Sequence, residues 1–288
     1  MKSWIPFCIA LITLLPTAHM WAANTYTPQT REEFNAIRFE LQPGDTVILP
    51  EGEITWRQIY IGVDGTEENP ITLKAPYIFG TTVTGVGYIH IVGDHIVIQG
   101  IRFLDTTLTY PLLIEGGSNN RVTQCLFGRT NAGDLLRITA KSGDPTSAAH
   151  NIIEHNYFTA TSKSAITISG NADRAHIGQN VIEHNVFRDA PARSGGGESI
   201  ILFADGKHQD YKMNTQVRYN VFDNWDSDID DEIISIKSGD NVFYRNVFAW
   251  CDGYFSFRRE NGTWVEGNVL FENNEGFRIY GEDHVIIN

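Results

Sequence analysis

Three basic residues near the end of the chain recur at a spacing that could place them side by side. They follow or lie within apolar-x-apolar triplets typical of short strands, at Ile234–Ile236, Phe255–Phe257 and Phe277–Ile279. Because the apolar members of each triplet face inward, Lys237 and Arg258 take equivalent outward positions on neighbouring strands. Arg278 lies one strand further on, displaced by two residues. A strip of adjacent positive charges is typical of a site that binds anions, and its lysine could act as a base. Three surface residues without a ligand are the alternative.

An acidic turn comes directly before Lys237. Five of the seven residues from 226 to 232 are carboxylates: Asp226, Asp228, Asp230, Asp231 and Glu232. Such a density is common in solvated loops, but oxygen ligands on a flexible turn also suit Ca²⁺. Zinc is not indicated, since no cysteine and histidine residues have the spacing of its ligands. Glu232 lies five residues before Lys237, an odd offset that requires a bend between them if both face outward.

A degenerate repeat fills the middle and end of the chain. Its clearest form is an apolar segment followed by Asn-x-Phe or a close variant, with the asparagines at Asn156, Asn185, Asn220, Asn246 and Asn268. Successive copies, starting from Cys125 in the asparagine position, are 22 to 35 residues apart and show almost no helical periodicity. This pattern predicts an all-β fold, a single-stranded right-handed parallel β-helix, with the asparagines stacked as an internal ladder. His155 and His184 would face outward as structural residues.

The two ends of the predicted solenoid differ. Thr30–Glu33 has the pattern of a capping box, and Phe34, Ile37 and Leu41 share one face of the helix that follows it. We therefore expect a short N-terminal helix to cap the first turn of strands. At the other end Asn288 aligns with Asn268, so we expect that end of the β-helix to be uncapped.

Composition and charge limit the possible functions. The chain has 288 residues and a formal net charge of −13, which argues against a nucleic-acid-binding protein. The same charge repels polyanions at long range, so an enzyme acting on a polyanion would need a local cationic site. Residues 1–23 are predicted to be a cleaved signal peptide, because Lys2 precedes a short apolar run. The domain at 24–288 is thus expected to be periplasmic or secreted, off the membrane and monomeric.

The two cysteines of the predicted mature chain are expected to be free and buried. Cys125 and Cys251 would lie four turns of the solenoid apart, or ~19 Å at the spacing of β-strands. A disulfide requires Cα atoms within about 7 Å.

Several segments of the chain resemble polysaccharide lyase family 6, which holds the alginate lyases and chondroitinase B-like enzymes. The segments that carry this resemblance are Pro43–Leu49, Asn69–Leu73, Glu232–Ser238, Arg258 and Phe277–His284. The resemblance covers roughly residues 30 to 288. It implies a parallel β-helix, in agreement with the repeat, and β-elimination at a uronic acid of an anionic polysaccharide.

The resemblance also implies roles for individual residues. Lys237 matches the general base that removes the proton on C5, and Arg258 matches the residue assigned as general acid at the leaving O4. Because guanidinium does not give up its proton in proteins, we expect Arg258 to support the leaving oxygen electrostatically. Water or a tyrosine, Tyr254 or Tyr280, would then supply the proton. The residues expected to contact substrate are Arg278, Tyr254, Tyr280, Arg259 and His284.

The calcium site implied by the resemblance is incomplete in this sequence. Glu232 and Asp230 match two ligand positions, but Asp230 stands where the family usually has Glu. Gly195 replaces an Asn ligand, Ile201 replaces an Arg, and Arg259 stands where a His often follows the catalytic arginine. We therefore expect Ca²⁺ to bind weakly or to be replaced by cationic side chains.

The leading hypothesis is a secreted alginate lyase of the poly(mannuronate) lyase type. A dermatan- or chondroitin-type glycosaminoglycan lyase is an alternative within the same chemistry. A non-catalytic β-helix that binds polysaccharide is an alternative of another class. A glycoside hydrolase on this fold would need two carboxylates flanking the scissile bond, whereas the predicted strip is basic.

Overall fold

The chain folds into a solenoid of short parallel strands. The computed structural model describes residues 22–130, 133–141, 148–159, 163–170, 177–190, 197–203, 211–226, 232–258 and 260–288. These residues form three parallel sheets of eleven, nine and nine strands and a small two-stranded sheet. Each sheet gains one strand per turn of the chain, and every strand pairs with its counterparts in adjacent turns. The predicted parallel β-helix is confirmed.

The strands are short and evenly distributed over the three faces. The first sheet holds Thr25–Tyr26, Thr46–Ile48, Ile71–Lys74, Ile96–Gln99, Arg121–Thr123, Ile152–Glu154, Val181–Glu183, Gln216–Arg218, Val242–Tyr244, Trp264–Glu266 and Val285–Ile287. The second sheet holds Gly52–Ile54, Thr81–Gly85, Ile101–Thr106, Leu126–Gly128, Tyr157–Thr159, Val186–Ala190, Val221–Trp225, Val247–Ala249 and Val269–Phe271. The third sheet holds Ile59–Ile61, Ile89–Ile91, Leu112–Glu115, Leu136–Thr139, Ile166–Ser169, Ile200–Phe203, Glu232–Lys237, Tyr254–Phe257 and Phe277–Ile279. Ala148–Ala149 and Ile177–Gly178 form the two-stranded sheet.

A column of phenylalanine rings fills the interior next to the second sheet. Its members are Phe103, Phe127, Phe158, Phe187, Phe222 and Phe248, all 1% exposed or less. Successive rings are nearly parallel, with centroids 4.4 to 4.9 Å apart. This separation matches the ~4.8 Å spacing of strands, so the backbone repeat sets the stack. The column fixes the turns of the solenoid in one register.

The predicted asparagine ladder forms at the turn between the first and second sheets. The side-chain oxygen of Asn220 accepts the backbone N–H of Asn185 at 2.9 Å, and its amide donates to the carbonyl of Ile182 at 2.9 Å. The same bonds recur from Cys125 to Asn268. Each asparagine thus satisfies backbone groups that the turn leaves unpaired inside the protein. The structural interpretation of these residues is confirmed.

A second polar ladder, which the sequence analysis did not identify, lies at the turn into the first sheet. The backbone N–H of Asn120 donates to the side chain of Asn151 at 3.0 Å, and that of Asn151 donates to Asn180 at 2.9 Å. Thr215 donates in the same way to Asn241 at 3.0 Å. Each of these residues lies five positions before a member of the first ladder, so the same spacing was available as a signal in the sequence.

The N-terminal helix spans Arg31–Ile37 and begins at Thr30, whose hydroxyl accepts the N–H of Glu33 at 3.2 Å. Glu33 accepts the N–H of Gln29 at 2.6 Å. Phe34 and Leu41 are buried against the first strands, and Ile37 packs on the same core. No helix among the described residues is long and apolar enough to cross a membrane.

Both described cysteines are free and buried, as predicted. Burial raises the pKa of the Cys125 thiol to about 12 and that of Cys251 to about 11. Neither sulfur is therefore a nucleophile at neutral pH.

Candidate active site

The strand Glu232–Lys237 lies in the third sheet between Ile200–Phe203 and Tyr254–Phe257. Ile236 pairs with Phe257, and the N–H of Arg258 donates to the carbonyl of Ile236 at 2.7 Å. Lys237 and Arg258 therefore follow paired residues and leave the sheet side by side. The interior is occupied by the alternate apolar residues, so both basic side chains lie on the outer face.

The bend expected between Glu232 and Lys237 is a β-bulge. Glu232 pairs with Tyr254, but the next pair is Ile234 with Phe255, so Ile233 is an extra residue on one strand. An extra residue reverses the side on which the preceding side chains project. The bulge thus lets Glu232 reach the same outer face as Lys237 without disturbing the apolar core.

The carboxylate of Glu232 is fully buried between two guanidinium groups, which we call the arginine clamp. Its Oε1 lies 3.3 Å from Nε of Arg258, and its Oε2 accepts from Nη1 of Arg258 at 3.5 Å. Nη2 of Arg278 donates to Oε1. The side chains of Arg258 and Arg278 remain 38% and 28% exposed. The clamp therefore fixes two cations whose outer surfaces still face solvent.

Arg278 is held by more than its ion pair. Its Nε donates to the hydroxyl of Ser256 at 3.1 Å, and its guanidinium lies 4.9 Å from the ring centroid of Tyr254. Ser256 pairs with Arg278 in the sheet and is fully buried. The ring of Tyr254 thus makes a cation–π contact with Arg278. This contact leaves less of the Tyr254 ring available to a substrate.

Tyr280 and His284 occupy the last turn. The N–H of Tyr280 donates to the carbonyl of Phe257 at 3.0 Å, which places Tyr280 beside Arg258, and its side chain is exposed. Nδ1 of His284 lies 3.3 Å from the N–H of Thr263, and Nε2 lies 3.0 Å from the carbonyl of Tyr280. Both ring nitrogens of His284 therefore face backbone groups. These contacts brace the segment that carries Tyr280, and the contact of His284 with substrate stays a prediction.

Some predicted site residues lie outside the described residues: Asp228, Asp230, Asp231, Gly195 and Arg259. Ile201, at the position of a family arginine, pairs with Ser235 in the third sheet. The predicted Ca²⁺ ligand set therefore stays a prediction.

The described residues do not fit a calcium site. Within them, no three acidic, histidine or cysteine side chains converge as metal ligands. Glu232 has its oxygens directed at arginines, a donor arrangement that suits a guanidinium rather than a hard cation needing several oxygen ligands. Among the described residues, Arg258 and Arg278 are the cationic side chains that meet Glu232, and the weak Ca²⁺ site stays a prediction.

Sequence reasoning did not identify the arginine clamp. Glu232 lies 26 residues before Arg258 and 46 before Arg278, so the contact depends on the register of three turns. The available signal was the arginine spacing itself, since two outward arginines on neighbouring strands need an anion between them.

Comparison with known proteins gives the family. The family model described as Chondroitinase B matches residues 29–288. No curated protein matches the chain.

Solved structures with the same fold include several polysaccharide lyases. A mannuronic acid specific family 6 lyase from human gut microbiota has a TM-score of 0.80 at 23% identity, covering 91% of this chain and 63% of that one. The family 6 alginate lyase AlyGC has a TM-score of 0.75 at 24% identity, covering 91% and 37%. A family 6 lyase from Pseudopedobacter saltans has a TM-score of 0.76 at 18% identity, covering 90% and 61%. The chain thus spans less than two thirds of the length of each of these proteins. The match over residues 29–288 shows that the chain belongs to the Chondroitinase B family, which confirms the resemblance to polysaccharide lyase family 6.

Proposed function

We propose that the protein is a lyase that cleaves alginate, a uronic-acid polysaccharide, by β-elimination. The observation that carries this proposal is the pairing of Ile236 with Phe257, which sets Lys237 beside Arg258 on one outer face. A base and a fixed cation on adjacent strands are the two groups that elimination next to a carboxylate requires.

The first requirement is to make the C5 proton acidic. Abstraction of that proton leaves a carbanion that spreads onto the neighbouring carboxylate, so a cation on the carboxylate lowers the barrier. Arg278 is suited to this task because Glu232, Ser256 and the ring of Tyr254 fix its orientation. The fixed guanidinium needs no reorganisation as negative charge develops.

Lys237 then takes the C5 proton, and the electron pair forms the C4–C5 double bond as the C4–O4 bond breaks. A lysine must be neutral to accept a proton. Arg258 donates a hydrogen bond to the departing O4 without losing its own proton. Tyr280, exposed beside Arg258, or a water molecule protonates O4 and completes the balance.

The choice of alginate rests on structural neighbours named as alginate lyases, including AlyGC. The poly(mannuronate) preference rests on the neighbour named as a mannuronic acid specific lyase. A glycosaminoglycan of the dermatan or chondroitin type is the second candidate, because the matching family model is described as Chondroitinase B.

Absorbance of the unsaturated uronate product separates these candidates. Poly-mannuronate, poly-guluronate and dermatan sulfate are each incubated with the protein, with and without a chelator. We expect product from poly-mannuronate in both conditions. Product from dermatan sulfate alone would reassign the substrate, and no product from any of the three would contradict lyase activity.

Secretion and a monomeric state belong to the same proposal. Secretion rests on the predicted signal peptide at residues 1–23, and the monomeric state stays an expectation from the sequence. N-terminal sequencing of protein exported by a bacterial host tests the first, and light scattering of the purified protein tests the second.

A further inference from the structure

The outer face of the third sheet, which carries Lys237, continues toward the N-terminal strands. A cleft of about 280 Å³ opens there, lined by Arg57, Tyr88, Leu108, Thr109, Tyr110 and Leu113. Its volume is close to the lower end of the roughly 300–1,000 Å³ usual for ligand pockets. Its lining combines one guanidinium, two phenol rings and two apolar side chains, a mixture suited to a sugar that carries a carboxylate.

The cleft continues the face that carries the candidate active site. Its residues lie on or just before the strands Ile59–Ile61, Ile89–Ile91 and Leu112–Glu115 of the third sheet. These strands are six, five and four places from Glu232–Lys237 in the strand order. At ~4.8 Å per strand, the cleft begins ~19 Å from the strand of Lys237 and extends to ~29 Å. Only an extended polymer could occupy both places.

Tyr110, one of the two tyrosines in the cleft, is held by the neighbouring Arg137. The guanidinium of Arg137 lies 5.0 Å from the ring centroid of Tyr110, and its Nη1 donates to the Tyr110 hydroxyl at 3.0 Å. Arg137 is itself fixed by Asp134 at 3.3 Å and by Ser169 at 2.8 Å. The ring therefore has a set orientation, which lowers the entropy cost of binding a sugar against it.

Charge favours an anionic ligand at this cleft. Arg57 is exposed at its edge, and no hydrogen bond or ion pair joins its guanidinium to another described residue. The whole chain carries a net charge of −13, so the exposed guanidinium of Arg57 is a local cationic site of the kind that captures a polyanion.

We propose that this cleft binds uronate residues of the polysaccharide several sugars away from the bond that is cleaved. Arg57 pairs with a sugar carboxylate there, and Tyr88 and Tyr110 contact the sugar ring. The proposal rests on the proposed lyase function for its substrate, and the cleft anchors long chains while leaving short ones unaffected.

Kinetics of Arg57→Ala on two substrates test the proposal. On poly-mannuronate we expect KM to rise about tenfold with kcat unchanged, because the variant lacks one charge-assisted hydrogen bond to the polymer. On a trisaccharide of mannuronate, which is too short to reach the cleft, both constants should match the parent. Arg57→Lys should restore part of the polymer affinity. The matched control is Arg245→Ala, which removes one exposed positive charge from another face of the solenoid.

The outcomes separate this inference from the lyase proposal. An unchanged polymer KM in Arg57→Ala, an equal loss on both substrates, or an equal loss in Arg245→Ala would overturn the role of the cleft. If the parent produces no unsaturated sugar, the lyase proposal fails. Calorimetric binding of poly-mannuronate to parent and Arg57→Ala then decides the cleft by itself, with about tenfold weaker binding in the variant expected.

Discussion

Replacing Glu232 with glutamine tests whether the arginine clamp organises the site. The substitution keeps the shape of the side chain and removes its charge. The carboxylate is fully buried and contacts both Arg258 and Arg278. In Glu232→Gln one carboxylate oxygen is replaced by an NH₂ group, which donates hydrogen bonds as a guanidinium does and cannot accept them. At least one arginine would therefore lose its hydrogen-bond acceptor and its fixed orientation.

The magnitude follows from the exposure of the three groups. A hydrogen bond to a charged group contributes about 1.5–3 kcal/mol. The two arginines are 38% and 28% exposed, and solvent screening reduces the loss. We therefore expect the free energy of unfolding to fall by about 2 kcal/mol, and Tm by about 4 °C. Misplacement of the two cations should reduce kcat/KM on alginate by about 100-fold.

The assay is the initial rate of unsaturated product formation, measured well below the Tm of each variant. The matched control is Glu183→Gln, since Glu183 is a partly buried carboxylate bound to Arg218 at 2.6 Å in the first sheet. The control should lose stability without losing activity. Equal activity in Glu232→Gln and Glu183→Gln would refute the clamp. Loss of the parent's activity in chelator, with recovery on adding Ca²⁺, would show that the reaction needs a metal in addition to the arginine clamp.

Three other predictions concern stability and reactivity. Burial raises the pKa of Glu260 from 4.5 to about 8, so the stability from its bound proton is complete below pH 4.5 and is lost as the pH rises to about 8. Urea unfolding at pH 5 and pH 8 measures how much the free energy of unfolding falls between these pH values. In Glu260→Gln this fall should be smaller than in the parent by up to about 4 kcal/mol. An equal fall in both proteins would contradict the interpretation of Glu260 as a buried acid. Asn220→Ala should lower the free energy of unfolding by about 2–4 kcal/mol, because it leaves the N–H of Asn185 and the carbonyl of Ile182 unpaired. A loss under about 1 kcal/mol would contradict the stabilising role of the asparagine ladder. Cys125 and Cys251 should resist a thiol reagent until the chain unfolds, and labelling of the native protein would show an opening of the solenoid.

Much of the fold could be predicted because the repeat is local. An asparagine two residues before a phenylalanine is visible wherever it recurs, and the backbone repeat that stacks one copy stacks them all. The ladder from Asn156 to Asn268 follows from that pattern, and the outward positions of Lys237 and Arg258 follow from the apolar-x-apolar triplets before them. The helix at Arg31–Ile37 was predictable for a similar reason, since its cap and its apolar face lie within one short segment.

The contacts of charged side chains between turns could not be predicted. The bulge at Ile233 was expected only as a bend, and its position decides that Glu232 meets two arginines. The contacts of the His284 ring nitrogens with the backbone at Thr263 and Tyr280 were likewise not predicted. Such outcomes depend on loop lengths and on side-chain direction at the end of a strand, for which a single sequence carries little signal.

The most direct test of the account is turnover by Lys237→Ala, with polymer binding measured in parallel. The account predicts that the parent forms unsaturated product from poly-mannuronate and that Lys237→Ala forms none, while both bind the polymer with similar affinity and unfold at similar temperatures. Unsaturated product from Lys237→Ala at a rate near that of the parent would contradict the assignment of this lysine as the base.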